Sequence, residues 1–204
     1  MAEIKLEGQR QIFNNKFLES LTRTHISVPL ILFYGTAAGL LIYTLTMTDM
    51  ATGKAILTFL LGTLSWTLFE YLAHRFIFHV GEGVEGWRKN MQETLHGVHH
   101  EFPRDKGRLA MPPVLSIILS TLIILLCYAL MGIPGFPFAG GFLAGYASYL
   151  VVHYSVHAFR PPRNAFRRLW ILHSLHHYKD PDIIFGVSSP LWDYVFRTMP
   201  REKY

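Results

Sequence analysis

Residues 113–132 read PVLSIILSTLIILLCYALMG, a run with no charged side chain. A bilayer core of ~30 Å needs about 20 apolar residues in helical form, so this run predicts a membrane-spanning helix. Three further runs pass the same test. Residues 28–47 are free of charge, residues 55–73 are apolar except for Glu70, and residues 138–157 are apolar and glycine-rich, running on through His153 and His157. The links between the first two runs and between the last two are short, so the helices pair as two hairpins. The expected fold is an all-α integral membrane protein with four transmembrane helices. A soluble bundle would need more polar surface than these runs leave.

Composition agrees. Of the 204 residues, 50% are hydrophobic and 16% charged, against about 25% charged in a typical soluble domain. The length suits one domain, 1–204, and no repeat or low-complexity tract divides it. The single cysteine, Cys127, excludes an internal disulfide framework and cysteine-based zinc motifs. It sits in an apolar run, where a thiol packs as a small hydrophobe. Residues 1–23 are polar, with no apolar stretch behind the start, so no cleavable signal peptide is expected and the first apolar run stays in the mature chain.

The charges supply an independent test of topology. If both termini share a side, so do segments 1–27, 74–112 and 158–204, and these hold 18 of the 19 Lys and Arg residues; only Lys54 falls opposite. The positive-inside rule then places both termini and all three segments in the cytoplasm. It also accounts for the net charge of +5 without nucleic acid. The membrane would be the plasma membrane in a bacterium and the endoplasmic reticulum in a eukaryote.

Ten of the 11 histidines fall in four clusters: His74 and His79; His96, His99 and His100; His153 and His157; His173, His176 and His177. Under this topology every cluster lies in a cytoplasmic segment or at the cytoplasmic end of a helix. Positions i, i+3 and i+4 share a helix face, so each triplet is expected to point together. His74 and His79 stand five apart, about 140° around an ideal helix, and need either a site that wraps the helix or a helix that loosens near His79. Ten neutral imidazoles can ligate two metals at four or five bonds each, and imidazole suits Fe, Zn, Cu and Ni. A single such pair would usually be structural; four clusters on one side predict a dimetal site in a cytoplasmic helical cap. His25 stands alone and reads as structural.

Other motifs carry less. Gly81 to Gly86 matches G-x-G-x-x-G but follows a helix end, lacks a βαβ frame and holds two glutamates, so it reads as a flexible loop. His100-Glu101 opens like a zinc-protease motif, but residue 104 is Arg. Glu70, one turn before His74, either orients that ring or faces water or Arg75. Tyr154, Asp193, Asp180, Asp182 and Tyr178 are further candidates to support ligand rings. Trp66, Trp170 and Trp192 read as interfacial anchors, and Arg163, Arg167 and Arg168 as contacts to anionic headgroups.

The flanking residues then carry a resemblance. Glu70-Tyr71-Leu72-Ala73-His74-Arg75-Phe76-Ile77-Phe78-His79 is followed by His96-Gly97-Val98-His99-His100, Arg108-Leu109 and Met111-Pro112-Pro113. Gly145-Tyr146 leads to His153-Tyr154 and His157. The last block is His173-Ser174-Leu175-His176-His177-Tyr178 with Phe185-Gly186-Val187-Ser188-Ser189 and Trp192-Asp193. Over roughly residues 65–200 this resembles the fatty acid hydroxylase and sterol desaturase superfamily, and within it the fatty acid 2-hydroxylases.

The resemblance implies that the ten clustered histidines bind two metals, with iron working and zinc able to occupy the site after purification. It implies a membrane-bound, O2-dependent monooxygenase acting on C2 of a fatty acyl chain, free or ceramide-linked. Two departures stand out. The 27 residues before the first helix are too few for the cytochrome b5 domain of eukaryotic 2-hydroxylases. A separate electron-transfer protein is therefore expected, either cytochrome b5-like or a ferredoxin with its reductase. Leu150 stands where those enzymes tend to have Asp, which bears on substrate more than on metal. Rival readings are sterol or carotenoid oxidation, a zinc hydrolase, and a non-catalytic metal carrier, which would place its ligands near the bilayer midplane.

Overall fold

The computed structural model describes residues 5, 8–9, 11–79 and 84–200. Residues 81–83 of the G-x-G-x-x-G string lie outside them.

Among the described residues the chain is helical, with no strand. Four helices are long and apolar enough to cross a membrane: α2 (Ser27–Met47), α3 (Thr52–Ala73), α6 (Pro113–Met131) and α7 (Gly135–Ala158). Short helices α1 (Lys16–Ser20), α4 (Trp87–Gln92), α5 (Val98–Glu101), α8 (Arg167–Tyr178) and α9 (Leu191–Val195) complete the set. Proline at the first position of α6 presets its backbone for a helix start. Gly132 ends it with φ 64°, a conformation glycine adopts without a Cβ penalty.

Helix α7 is the hub and packs against α2, α3 and α6. Its buried face is a stripe of small residues, including Ala139, Gly140, Gly141, Gly145 and Ala147. The contact with α3 is close because neither helix has side chains in the way. A Cβ on Gly141 would run into the Phe59 carbonyl, and one on Gly62 into that of Phe138. In lipid, where hydrophobic burial does not drive helices together, such close backbone approach is what holds them. The main partner of α3 is thus α7 rather than its sequence neighbour α2, a cross-pairing that two separate hairpins do not convey. Helix α6 keeps most of its apolar surface exposed.

Trp66 is not an interfacial anchor. It is buried and packs on Gly145 of α7, with its ring 4.8 Å from that of Tyr146. The space left by the glycine accepts the indole.

The links after α2 and α6 lie together, since Met47, Asp49, Ile133 and Pro134 line one cavity. The histidine-bearing ends of α3 and α7 are therefore at the opposite end of the bundle. A polar network covers that end. Arg23 pairs with buried Asp105 at 3.3 Å, Arg108 pairs with Glu19, and Thr24 N–H donates to the Gly107 carbonyl at 3.0 Å.

Candidate metal centre

Two backbone irregularities bring the histidines to this end. Helix α3 runs directly into a π-turn, His74–Phe78, in which His79 N–H donates to the His74 carbonyl at 3.1 Å. An i→i+5 hydrogen bond adds one residue to the turn, so positions five apart come to one face. Of the two alternatives the spacing of His74 and His79 leaves, a wrapped site or a loosened helix, the structure has the second. A second π-turn, Glu93–Gly97, carries His96 and leads into α5 with His99 and His100.

All ten clustered histidines converge, in two groups of five. Group A is His74, His79, His96, His100 and His176; group B is His99, His153, His157, His173 and His177. In each group one ring nitrogen from every residue lies within 4.8 Å of the others. The groups adjoin, with the His100 and His177 rings stacked at 4.1 Å.

The triplets do not point together. His96 and His100 serve group A while His99 serves group B, and His173 and His177 serve group B while His176 serves group A. The reason is angular. Residues i and i+4 are about 40° apart around a helix, whereas i+3 lies about 60° to the other side. Two adjacent centres can therefore share one helix, and two triplets do so reciprocally. Each group thus draws a pair from a membrane helix end, a pair from one triplet and a single ring from the other.

The donor set fits metal ions. Nε2 of His96 lies 3.1, 3.1 and 2.9 Å from Nε2 of His74, His79 and His100. In group B the His99–His153 and His157–His173 Nε2 separations are 2.9 and 2.8 Å. Two ligands at right angles on an ion with bonds of ~2.0–2.1 Å stand about 2.9 Å apart. Nδ1 of His74 donates to the Phe185 carbonyl at 2.6 Å, and Nδ1 of His176 to the Ile183 carbonyl at 2.8 Å. In a neutral ring this leaves Nε2 as a bare lone pair, aimed in each case at its neighbours. Buried lone pairs facing one another repel, and a cation between them removes the repulsion. Buried His177 has neither ring nitrogen in a hydrogen bond. Neither group contains a carboxylate.

Electrostatics hold the rings ready. Burial, reinforced by neighbouring rings, pushes His96, His99, His173 and His177 well below the ordinary imidazole range. Burial also lowers His79 to about 3 and His176 to about 4, the latter against its bond to Ile183. Neutral imidazole is the metal-binding form.

The support for the rings differs from the sequence reading. Glu70 meets His74 through its main-chain carbonyl, which accepts the His74 N–H, and its carboxylate is turned to another partner. It is buried and accepts the backbone N–H groups of Val187 and Ser188 at 2.6 and 2.8 Å, and the Ser188 hydroxyl. Asp193 accepts those of Phe185 and Gly186 at 2.8 and 2.9 Å. Both carboxylates thus act on a loop, and it is loop carbonyls that meet the rings. Tyr154 packs against Phe159, Asp180 caps its own turn by accepting from Asp182 N–H at 2.9 Å, and Tyr178 lies beside His177 at 6.1 Å. Trp192 donates to Thr67 at 2.9 Å and Trp170 to the Phe159 carbonyl at 3.1 Å. Arg168 donates to the Tyr194 hydroxyl. His25 is exposed and bonds Ser27 at 2.8 Å, apart from both groups.

The model of the fatty acid hydroxylase family matches residues 59–198, which span both histidine groups and the loop. The chain belongs to the fatty acid hydroxylase family. It is 37% identical over 198 residues to the ceramide very long chain fatty acid hydroxylase scs7 of Schizosaccharomyces pombe, covering 94% of this chain and 55% of that protein. It is 34% identical over 216 residues to human fatty acid 2-hydroxylase, covering 95% and 57%. Against a dihydroceramide fatty acyl 2-hydroxylase of Arabidopsis thaliana the identity is 39% over 140 residues, covering 68% and 59%. The chain therefore spans little more than half the length of these relatives. Among solved structures it matches full-length scs7p, of which only the hydroxylase domain is visible, with a TM-score of 0.85 and 35% identity over 94% of this chain and 72% of that one.

Proposed function

We propose that this chain is a membrane-bound non-haem di-iron monooxygenase that hydroxylates a lipid acyl chain at C2, free or ceramide-linked. The observation that carries this reading is the division of ten buried or half-buried histidines into two adjoining groups of five, within the region matched to the family. The reaction consumes a C–H bond, O2, two electrons and two protons, and yields the alcohol and water. A separate electron-transfer protein, cytochrome b5-like or a ferredoxin with its reductase, supplies the electrons. The basic segments flanking the membrane favour a cytoplasmic position for the site and both termini.

His74, His79, His96, His100 and His176 would hold one ion, and His99, His153, His157, His173 and His177 the other. Bound iron supplies the oxidising chemistry that an unactivated C–H requires. The protein's part is positioning. Main-chain carbonyls fix the His74 and His176 rings. Burial keeps the imidazoles neutral and limits water around them. A cavity of about 450 Å³ opens beside group B, lined inside by His157, His173 and His177 and outside by Arg104, Lys106 and Arg160. Such a cavity suits an acyl chain entering from the bilayer, with its polar head toward the cationic rim.

The test is expression with iron and a reductase system under 18O2, followed by lipid mass spectrometry. A labelled 2-hydroxyacyl product, absent in His176→Ala, is expected. No labelled oxygen in any lipid, with both ions bound and a reduced donor present, refutes the reading.

A further inference from the structure

The two histidine groups are not supported alike. Group A leans on residues 183–188. The Ile183 and Phe185 carbonyls accept from His176 and His74 at 2.8 and 2.6 Å. Ile184 between them has φ 59°. A β-branched residue at positive φ is a genuine outlier, one that persists only where its surroundings over-determine it. Here they do. Ile184 is buried, and its N–H donates to the Thr198 carbonyl at 3.1 Å. The next four N–H groups are all taken by carboxylates. Asp193 receives Phe185 and Gly186, and Glu70 receives Val187 and Ser188. Thr198 ties Asp193 in turn at 2.7 Å. Gly186 permits the contact, since a Cβ there would stand 2.7 Å from Asp193 Oδ2. One loop thus combines a strained backbone with five consecutive captured amides. In group B the Leu109 carbonyl stands beside one ring, His153, while His177 has no partner at either nitrogen.

We propose that Glu70 and Asp193 are positioning residues for group A: they lock residues 185–188 so that two loop carbonyls preset His74 and His176, making group A the tighter ion site and group B the exchangeable one. Neither carboxylate touches an ion; each acts through the loop. Partners that orient ligand rings typically change metal affinity about 10–100-fold when removed. The proposal rests on the histidine groups being ion sites, as the proposed function holds.

The full chain in detergent is titrated with Zn2+ against a competing chelator, with stoichiometry read by elemental analysis. Wild type is expected to bind two ions, one at least ~10-fold tighter. His176→Ala should remove the tight site and His177→Ala the weak one. Glu70→Ala should weaken the tight site ~10–100-fold and spare the weak one. Glu70→Gln keeps a carbonyl for the Val187 and Ser188 amides and should restore most of the affinity. A merely structural role would lower both sites together and shift the unfolding midpoint in step. If Glu70→Ala does not fold, Asp193→Asn, which keeps one acceptor oxygen, decides on the same criterion. Equal weakening of both sites, an unchanged tight site, or loss confined to the His177-dependent site overturns the proposal. A wild-type chain that takes up no Zn2+ instead defeats the reading of the histidines as ligands.

Discussion

Residues 176 and 177 are neighbours in the chain, yet they lie in different histidine groups. Replacing either with Ala leaves one group with five rings and the other with four. The informative experiment uses pairs. His176→Ala with His177→Ala leaves four and four, so both centres are incomplete. His99→Ala with His177→Ala leaves group A with all five and group B with three. After dialysis against a chelator, the first double variant is expected to retain no ion and the second one ion. The single variants should each retain one. Stoichiometry by elemental analysis reads this directly, without a substrate or an electron donor. Additivity is expected only between residues that share no partner, so the H99A loss should add little once H177A is present. If H176A/H177A keeps one ion just as H99A/H177A does, the two residues serve one centre and the crossed assignment is wrong.

Further outcomes concern packing, pH and the lone histidine. Gly141→Ala should destabilise by about 1–3 kcal/mol, because the added methyl meets the Phe59 carbonyl and the backbone cannot yield cheaply. Gly39→Ala, with nothing near its Cβ, should be neutral or stabilising by up to about 1 kcal/mol; thermal unfolding in detergent compares the two, and equal signs would refute the close-packing account. For pH, an unfolded histidine titrates near ~6.5, while burial holds His79 at about 3 and His176 at about 4. The unfolded chain therefore binds protons first. Stability of the metal-free protein should be complete above pH ~6.5 and be lost as pH falls toward those lower values. Zn2+ uptake at pH 6.5 should release almost no protons, which calorimetry in buffers of different ionisation enthalpy measures. Finally, His25→Ala should leave stoichiometry at two ions, since among the described residues that ring bonds only its own helix start.

The four spans were legible because lipid imposes a crude requirement, length and apolarity, which Pro113–Met131 meets by composition alone. The histidine inventory was legible for a similar reason: imidazoles concentrated on one side have few other uses. Angular detail was not. Helical spacing groups His96, His99 and His100 on one face, but a face about 100° wide can serve one ion or two, and only the packing partners decide. The π-turn at His74–Phe78 could be suspected from the five-residue spacing, since an ordinary helix separates those rings. The role of Glu70 could not be read, because its partners are main-chain amides 117 and 118 positions away. Backbone groups leave no mark in side-chain patterns. The burial of Trp66 is not legible for a related reason: the glycine that makes room for it lies on another helix.

The crossed sharing of the triplets also bears on synthesis. Before residue 173 emerges, the chain already carries seven of the ten clustered histidines, yet neither group is complete: group A waits for His176, and group B for His173 and His177. A growing chain therefore presents no complete histidine group until α8 has been made and folded back onto the ends of the membrane helices. On the proposed function, metal capture would be deferred to a late stage of assembly, and the same short helix would close both sites at once.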